Sequence, residues 1–147
     1  MENSKKKPLR AGGIIFNKSN THIVLVLNRE SFLKKEFKYG LPKGHLLDHE
    51  KDFPHLGAQR EILEEIGIFM PITDDTISIS IYDTIYYILT LDKTYNPTFQ
   101  PYDTNEIILA EWIPINKLEY LNANRTLAKL VKKWNNIFHT PVYNKLK

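Results

Sequence analysis

The chain has 147 residues, 42% hydrophobic and 25% charged, the profile of one ordinary soluble domain with room for a real core. No run approaches the roughly 18 apolar residues of a membrane span, and the opening MENSKKKPLR lacks an apolar signal region, so no membrane partner is expected. Cysteine is absent, which excludes disulfides and thiol catalysis and leaves a cytoplasmic location, the nucleus included, as the expectation. A net charge of +3 and a pI near 9.0 fit an anionic partner without identifying one.

In chain order, residues 1–9 carry Lys5-Lys6-Lys7-Pro8 and read as a flexible basic tail, solvated unless it touches phosphate or RNA. Ala11 to Phe16 and His22 to Asn28 are apolar strands joined by Asn17-Lys18-Ser19-Asn20, which has hairpin chemistry. Gly12-Gly13 marks a close approach of another backbone or a ligand. Arg29 to Lys38 reads as a charged loop, its Arg29, Lys34, Lys35 and Lys38 being either solvated or phosphate contacts. Ile77 to Leu91 predicts one long strand or two joined near Asp83. Thr94 to Thr104 predicts a loop whose Tyr95, Phe99 and Tyr102 either stack on a nucleobase or pack on their own domain. Glu106 to Ile113 predicts a strand, with Glu111 facing solvent, and a short helix starts near Pro114. Leu127, Leu130, Val131, Trp134 and Phe138 give an amphipathic helix over Arg125 to Phe138, with Trp134 as core. Strands on both sides of a central helix and a closing helix predict an α/β sandwich.

The densest chemistry lies from Tyr39 to Ile68. Glu61 and Glu64 are three apart and Glu61 and Glu65 four apart, so a helix puts all three carboxylates on one face. Like charges so placed cost about 0.2–0.5 kcal/mol per pair on an exposed helix, a cost that a bound cation reverses. Three oxygen ligands with positions left for water and phosphate suit a hard divalent ion such as Mg²⁺. The alternative is a solvated face on which Arg60 neutralises Glu64. Gly40, Pro42 and Gly44 build a tight loop around Lys43 ahead of the helix, and Gly67 supplies its end.

Gly44, Glu50, Arg60, Glu61, Ile62, Glu64, Glu65, Gly67 and Ile68 resemble the Nudix box, G-x5-E-x7-R-E-U-x-E-E-x-G-U with U aliphatic. The match departs at one place: nine residues, not seven, separate Glu50 from Arg60. Either Asp52 takes the acidic position, or Glu50 keeps it and the start of the helix is extended; Asp52 is also a candidate N-cap, with Pro54 in the first turn. The resemblance covers nearly the whole chain and implies an α/β/α sandwich on a central mixed sheet, with residues 10–147 as a single Nudix domain. It also implies hydrolysis of a diphosphate linkage in a nucleoside diphosphate joined to another moiety, with Mg²⁺ or Mn²⁺. Carried over, Glu61, Glu64, Glu65 and the Gly44 carbonyl are metal ligands, Arg60 holds the carboxylates, and Lys43 meets a phosphate. The general base is either a carboxylate of the box or Glu106, because the segment from Asn105 resembles the corresponding region of mRNA-decapping Nudix enzymes. The Tyr39-Gly40-Leu41-Pro42-Lys43-Gly44-His45 stretch is similar both to those and to dinucleoside-polyphosphate and diphosphoinositol-polyphosphate hydrolases. The expectation is therefore a nucleotide-type anionic substrate, leaning to capped RNA, with an inactive ligand-binding Nudix module as the alternative of another class. Zinc is not expected, since none of His22, His45, His49, His55 and His139 makes an HxxxH or HExxH pair on a credible helix.

Overall fold

The computed structural model describes residues 7–92 and 98–138. Seven strands form one mixed sheet: β1 (Arg10–Asn17), β2 (His22–Asn28), β3 (Tyr39–Gly40), β4 (Lys43–His45), β5 (Ser78–Ile81), β6 (Thr84–Leu91) and β7 (Ile107–Pro114). β1 and β6 run parallel along their full length, from Arg10↔Thr84 to Asn17↔Leu91, while every other pairing is antiparallel. The helices are α1 (Arg29–Leu33), α2 (Pro54–Ile66), α3 (Arg125–Lys132) and α4 (Trp134–Phe138). Among the described residues, no helix is long and apolar enough to cross a membrane.

Alternation along the strands builds two cores, one on each side of the sheet. Ala11 and Ile15 of β1, Val24 and Val26 of β2, and Tyr87 and Leu89 of β6 face α2, where Ala58, Ile62 and Ile66 meet them. Ile14 and Phe16, Ile23 and Leu25, and Tyr86 face the other way, toward Leu118, Leu127, Leu130 and Trp134. The result is the α/β/α sandwich expected. Gly13 brings α2 close: a Cβ there would lie 2.8 Å from Ile62 Cδ1.

The feature that makes room for a site is a fork in the sheet. β1 and β2 meet in register at Phe16↔Ile23, beside their hairpin. Toward the opposite end, β1 takes β4 as partner through Ala11↔Gly44 and Gly12↔Lys43, and β2 takes β3 through Val26↔Gly40. The stretch from Tyr39 to His45 therefore crosses from one prong to the other, held midway where the Gly13 N–H donates to the Pro42 carbonyl at 3.1 Å.

Three sequence expectations change. The final helix is interrupted at Lys133, where α3 ends and α4 begins, and Trp134 and Phe138 gather around Phe16, with ring centroids 5.9 and 5.5 Å away. Arg29–Leu33 is helical rather than loop, started by Asn28, whose side chain accepts the Ser31 N–H at 2.8 Å. Asp52 is not the N-cap of α2; Phe53 is, and it offers no side-chain bond, leaving Pro54 at the first turn to fill a position that needs no N–H.

Candidate active site

Arg60 is the hub of the acidic helix. Its Nε and Nη2 donate to the two oxygens of Glu50, each at 2.8 Å, in a bidentate fork. Nη1 donates to Glu61 at 2.7 Å and to Glu64 at 3.2 Å, and Nη2 also reaches the His45 carbonyl at 3.0 Å. Glu50 is 3% exposed and takes a further bond from the Leu47 N–H at 2.9 Å. The Arg60 guanidinium holds the Glu50 carboxyl below the ordinary carboxylate range. Asp52 is exposed and pairs with Lys7 on the surface. Of the two candidates for the displaced acidic position, Glu50 is thus the one bound to Arg60. The 3₁₀ turn Asp48–Glu50 carries it, and Lys51, Asp52 and Phe53 take up the additional chain before Pro54.

The other side of α2 is charge-poor. Glu65 is 3% exposed and accepts the Lys43 backbone N–H at 3.0 Å. Burial, with Glu106 and Glu61 adding repulsion, pushes its carboxyl up to about 9. Burial also raises Glu61, against the pull of Arg60, and raises Glu106, where Asp103 adds to the effect. Glu65, Glu106 and Lys43 line one cleft at the fork, together with Lys38, Gly40 and Asn124. Gly44 lets the Glu61 carboxylate lie against the backbone, since a Cβ there would displace it.

Glu106 is held by a long-range clamp. The carbonyls at the end of α2, which lack helical partners, accept from the loop: Glu64 from the N–H groups of Tyr102 at 2.8 Å and Asp103 at 3.1 Å, and Ile66 from Gln100 at 3.2 Å. Gly67 closes the helix at φ 79° and lies against the Gln100 carbonyl, where a side chain has no room. From the other direction, Arg29 donates to the carbonyls of Thr104 at 2.7 Å and Asn105 at 3.2 Å, and its N–H reaches the Glu106 carbonyl at 2.6 Å. Arg29 is therefore a loop clamp rather than a free phosphate contact. A partner some 75 positions away leaves no local pattern from which to read this.

The loop aromatics separate. Phe99 packs on the α2-side core with its ring centroid 5.5 Å from that of Trp112, so it is a core contact and not a stacking platform. Tyr102 is 67% exposed, and Tyr95 lies outside the described residues. Glu111 is half-buried rather than solvent-facing, because the Tyr39 hydroxyl donates to it at 2.8 Å. Asn124 was not singled out from the sequence; it caps α3 by accepting the Leu127 N–H at 3.0 Å, and its amide lies against Gly40.

Among the described residues, no three acidic or histidine side chains already converge as a metal cage. Arg60 Nη1 lies between Glu61 and Glu64, and Glu65 turns to the Lys43 N–H. The donors nonetheless fit a hard divalent ion: they are all oxygen, they share one helix face, and Glu65 has no ion pair among the described residues.

The NUDIX domain family matches residues 6–134. Solved structures with the same fold include a C. elegans Ap4A hydrolase in a binary complex, at TM-score 0.62 and 18% identity, covering 88% of this chain and 96% of that one. The NUDIX domain of Shewanella oneidensis NrtR, complexed with ADP ribose, matches at TM-score 0.61 and 16% identity, over 92% of this chain and 90% of that one. A MutT protein from Methanosarcina mazei Go1 matches at TM-score 0.61 and 18% identity, over 93% and 100%. No curated protein matches the chain significantly. A sheet forked over a helix bearing Arg60, Glu61, Glu64 and Glu65 is the frame of a Nudix pyrophosphohydrolase, and the chain belongs to that family.

Proposed function

We propose that this protein hydrolyses a diphosphate linkage in a nucleotide-derived substrate, and that Mg²⁺ or Mn²⁺ is held by Glu61, Glu64, Glu65 and the Gly44 carbonyl. The observation that carries the reading is the buried Glu65, without an ion pair among the described residues, sharing one cleft with Lys43 and Glu106. Bound there, a divalent ion supplies charge neutralisation at the phosphoryl oxygens and acidifies a water. Arg60 fixes Glu61 and Glu64 in place through its bonds to both, and Glu50 fixes Arg60. Lys43 meets a substrate phosphate as a point charge, with Lys38 beside it. Glu106, at the mouth of the cleft with a raised pKa, takes a proton from the attacking water. Tyr102, exposed above the end of α2, is the loop aromatic free to stack on a base among the described residues.

Within that class the substrate is a nucleoside diphosphate joined to another moiety, an mRNA cap included. The likeness of the fold to an Ap4A hydrolase supports a second reading, a dinucleoside polyphosphate, and the dense charge of a diphosphoinositol polyphosphate would suit the same lysines. A hydrolysis panel separates these: capped RNA, free cap analogue, diadenosine polyphosphates, ADP-ribose, nucleoside triphosphates and an inositol pyrophosphate, each with Mg²⁺ and Mn²⁺, and Glu64→Gln as the blank. One substrate far above the rest, lost in the variant, confirms the activity and names its class. A flat panel with tight ligand binding overturns it in favour of an inactive binding module.

A further inference from the structure

The tip of the β5–β6 hairpin carries a residue that neither the fold nor the cleft explains. Ile81 pairs with Thr84, so Tyr82 and Asp83 make the whole turn, and Tyr82 sits at φ 54°. That is the left-handed region, where glycine is at ease and a bulky side chain is an outlier. Core packing does not compensate, because the ring is 48% exposed. The Arg125 guanidinium lies 3.8 Å from the ring centroid and the Lys129 ammonium 4.8 Å from it.

The ring divides two hollows. One, of about 340 Å³, is lined by Tyr82, Arg125, Ala128, Lys129, Lys132 and Lys133. The other, of about 610 Å³, is lined by Lys7, Pro8, Leu9, Ser80 and Thr84 together with the turn. None of these residues lines the Lys43–Glu65–Glu106 cleft. Arg125, Lys129 and Lys132 fall four and three residues apart, a single stripe on the side of α3 away from the buried Leu127 and Leu130. None of Arg125, Lys129, Lys132 and Lys133 makes an ion pair among the described residues. Asp83, the carboxylate in the turn, is already taken by Arg10.

We propose that the hairpin tip and α3 form a second site, outside the catalytic cleft, that takes single-stranded nucleic acid, with one base against Tyr82 and the neighbouring phosphates on the α3 cations. A cation-backed aromatic whose adjoining hollow is lined by Arg125, Lys129, Lys132 and Lys133 suits a base with its phosphates better than an acyl chain. A duplex, whose bases are already stacked, cannot use the ring. The site stands independently of which diphosphate the cleft hydrolyses.

The test is fluorescence anisotropy with labelled oligouridylate and oligothymidylate, on the full chain, alongside melting curves. Tyr82→Gly is the informative variant, because glycine takes φ 54° without strain. It should bind roughly 5- to 150-fold more weakly, the range for losing one base stack, while still melting cooperatively as a folded protein. Lys129→Ala with Lys132→Ala should flatten the log–log salt dependence by about 1.4, at about 0.7 per phosphate contact. Equal binding of the two oligomers places recognition in base and phosphate, and an RNA preference adds the 2′-hydroxyl; both support the site. Two results overturn it: binding unchanged in Tyr82→Gly with heparin competing equally, which marks a surface of charge alone; or Tyr82-dependent capture on phosphatidylserine vesicles without oligonucleotide binding.

Discussion

The two sides of α2 treat the same chemical group in opposite ways. On one side, Glu50, Glu61 and Glu64 share a single guanidinium, and the Glu50 carboxyl is held below its ordinary range. On the other, Glu65 and Glu106 face a cleft whose cations, Lys43 and Lys38, make no ion pair with them among the described residues, and both carboxyls are raised. On the first side Arg60, fixed by Glu50, braces Glu61 and Glu64. The second is short of positive charge, and the proposed ion would add it there. One helix face thus offers carboxylates of two kinds: Glu61 and Glu64, braced by Arg60, and Glu65, which has no ion pair among the described residues.

The largest effects should come from the carboxylates proposed to meet water or metal, on either side. Glu106→Gln is expected to lower kcat by about 10²–10⁴-fold with KM little changed, as loss of a general base does. A change of only a few-fold would remove Glu106 from that role and leave it a charge at the mouth of the cleft. Glu65→Gln, and equally Glu64→Gln, should cost about 10²–10³-fold in kcat through lost electrostatic stabilisation, with the dependence on Mg²⁺ concentration shifted upward. Metal-dependent turnover left intact in either variant would break the assignment.

The brace itself should respond more mildly and more structurally. Glu50→Gln removes a charged fork from Arg60 while leaving its bonds to Glu61 and Glu64, so activity should fall about 10–100-fold, as when a ligand's supporting partner is lost. Stability should fall by about 1–3 kcal/mol. Asp52→Asn should do neither, since its only ion-pair partner among the described residues is a surface lysine. Equal effects in the two variants would return the acidic position to Asp52.

The contrast also shows what sequence can carry. The spacing of Glu61, Glu64 and Glu65 and the bounds of β2 were legible, because helix and strand periods are local. Which of Glu50 and Asp52 meets Arg60 was not, because the additional residues before Pro54 form turns whose direction only packing decides. Phe99 reads as a loop aromatic, and only Trp112, thirteen positions on across the fold, makes it core. Arg29 and Asn124 act through carbonyls and a glycine brought near by the fork, and nothing about an arginine or an asparagine announces that.

The most diagnostic effect is on the pH dependence of the metal-free protein. Glu65 has a folded pKa near 9 against an ordinary 4.5, so between those values the folded chain holds a proton that the unfolded chain has released. Stability then falls as pH rises from about 4.5 and levels off near 9, the reverse of an ion-paired carboxylate. Glu61 and Glu106, also raised, act in the same direction. Glu50, lowered by Arg60, acts oppositely: its contribution is complete above the ordinary carboxylate value and disappears as pH falls through its folded value. Melting temperatures taken from pH 4.5 to pH 9 without metal should therefore decline toward alkaline pH, and Glu65→Gln should flatten that decline. Added Mg²⁺ should raise the parent's melting temperature more at the alkaline end, because a ligand carboxyl must first lose its proton. An identical slope in parent and variant would show that the charge deficit does not centre on Glu65, and the division between the two sides of α2 would have to be redrawn.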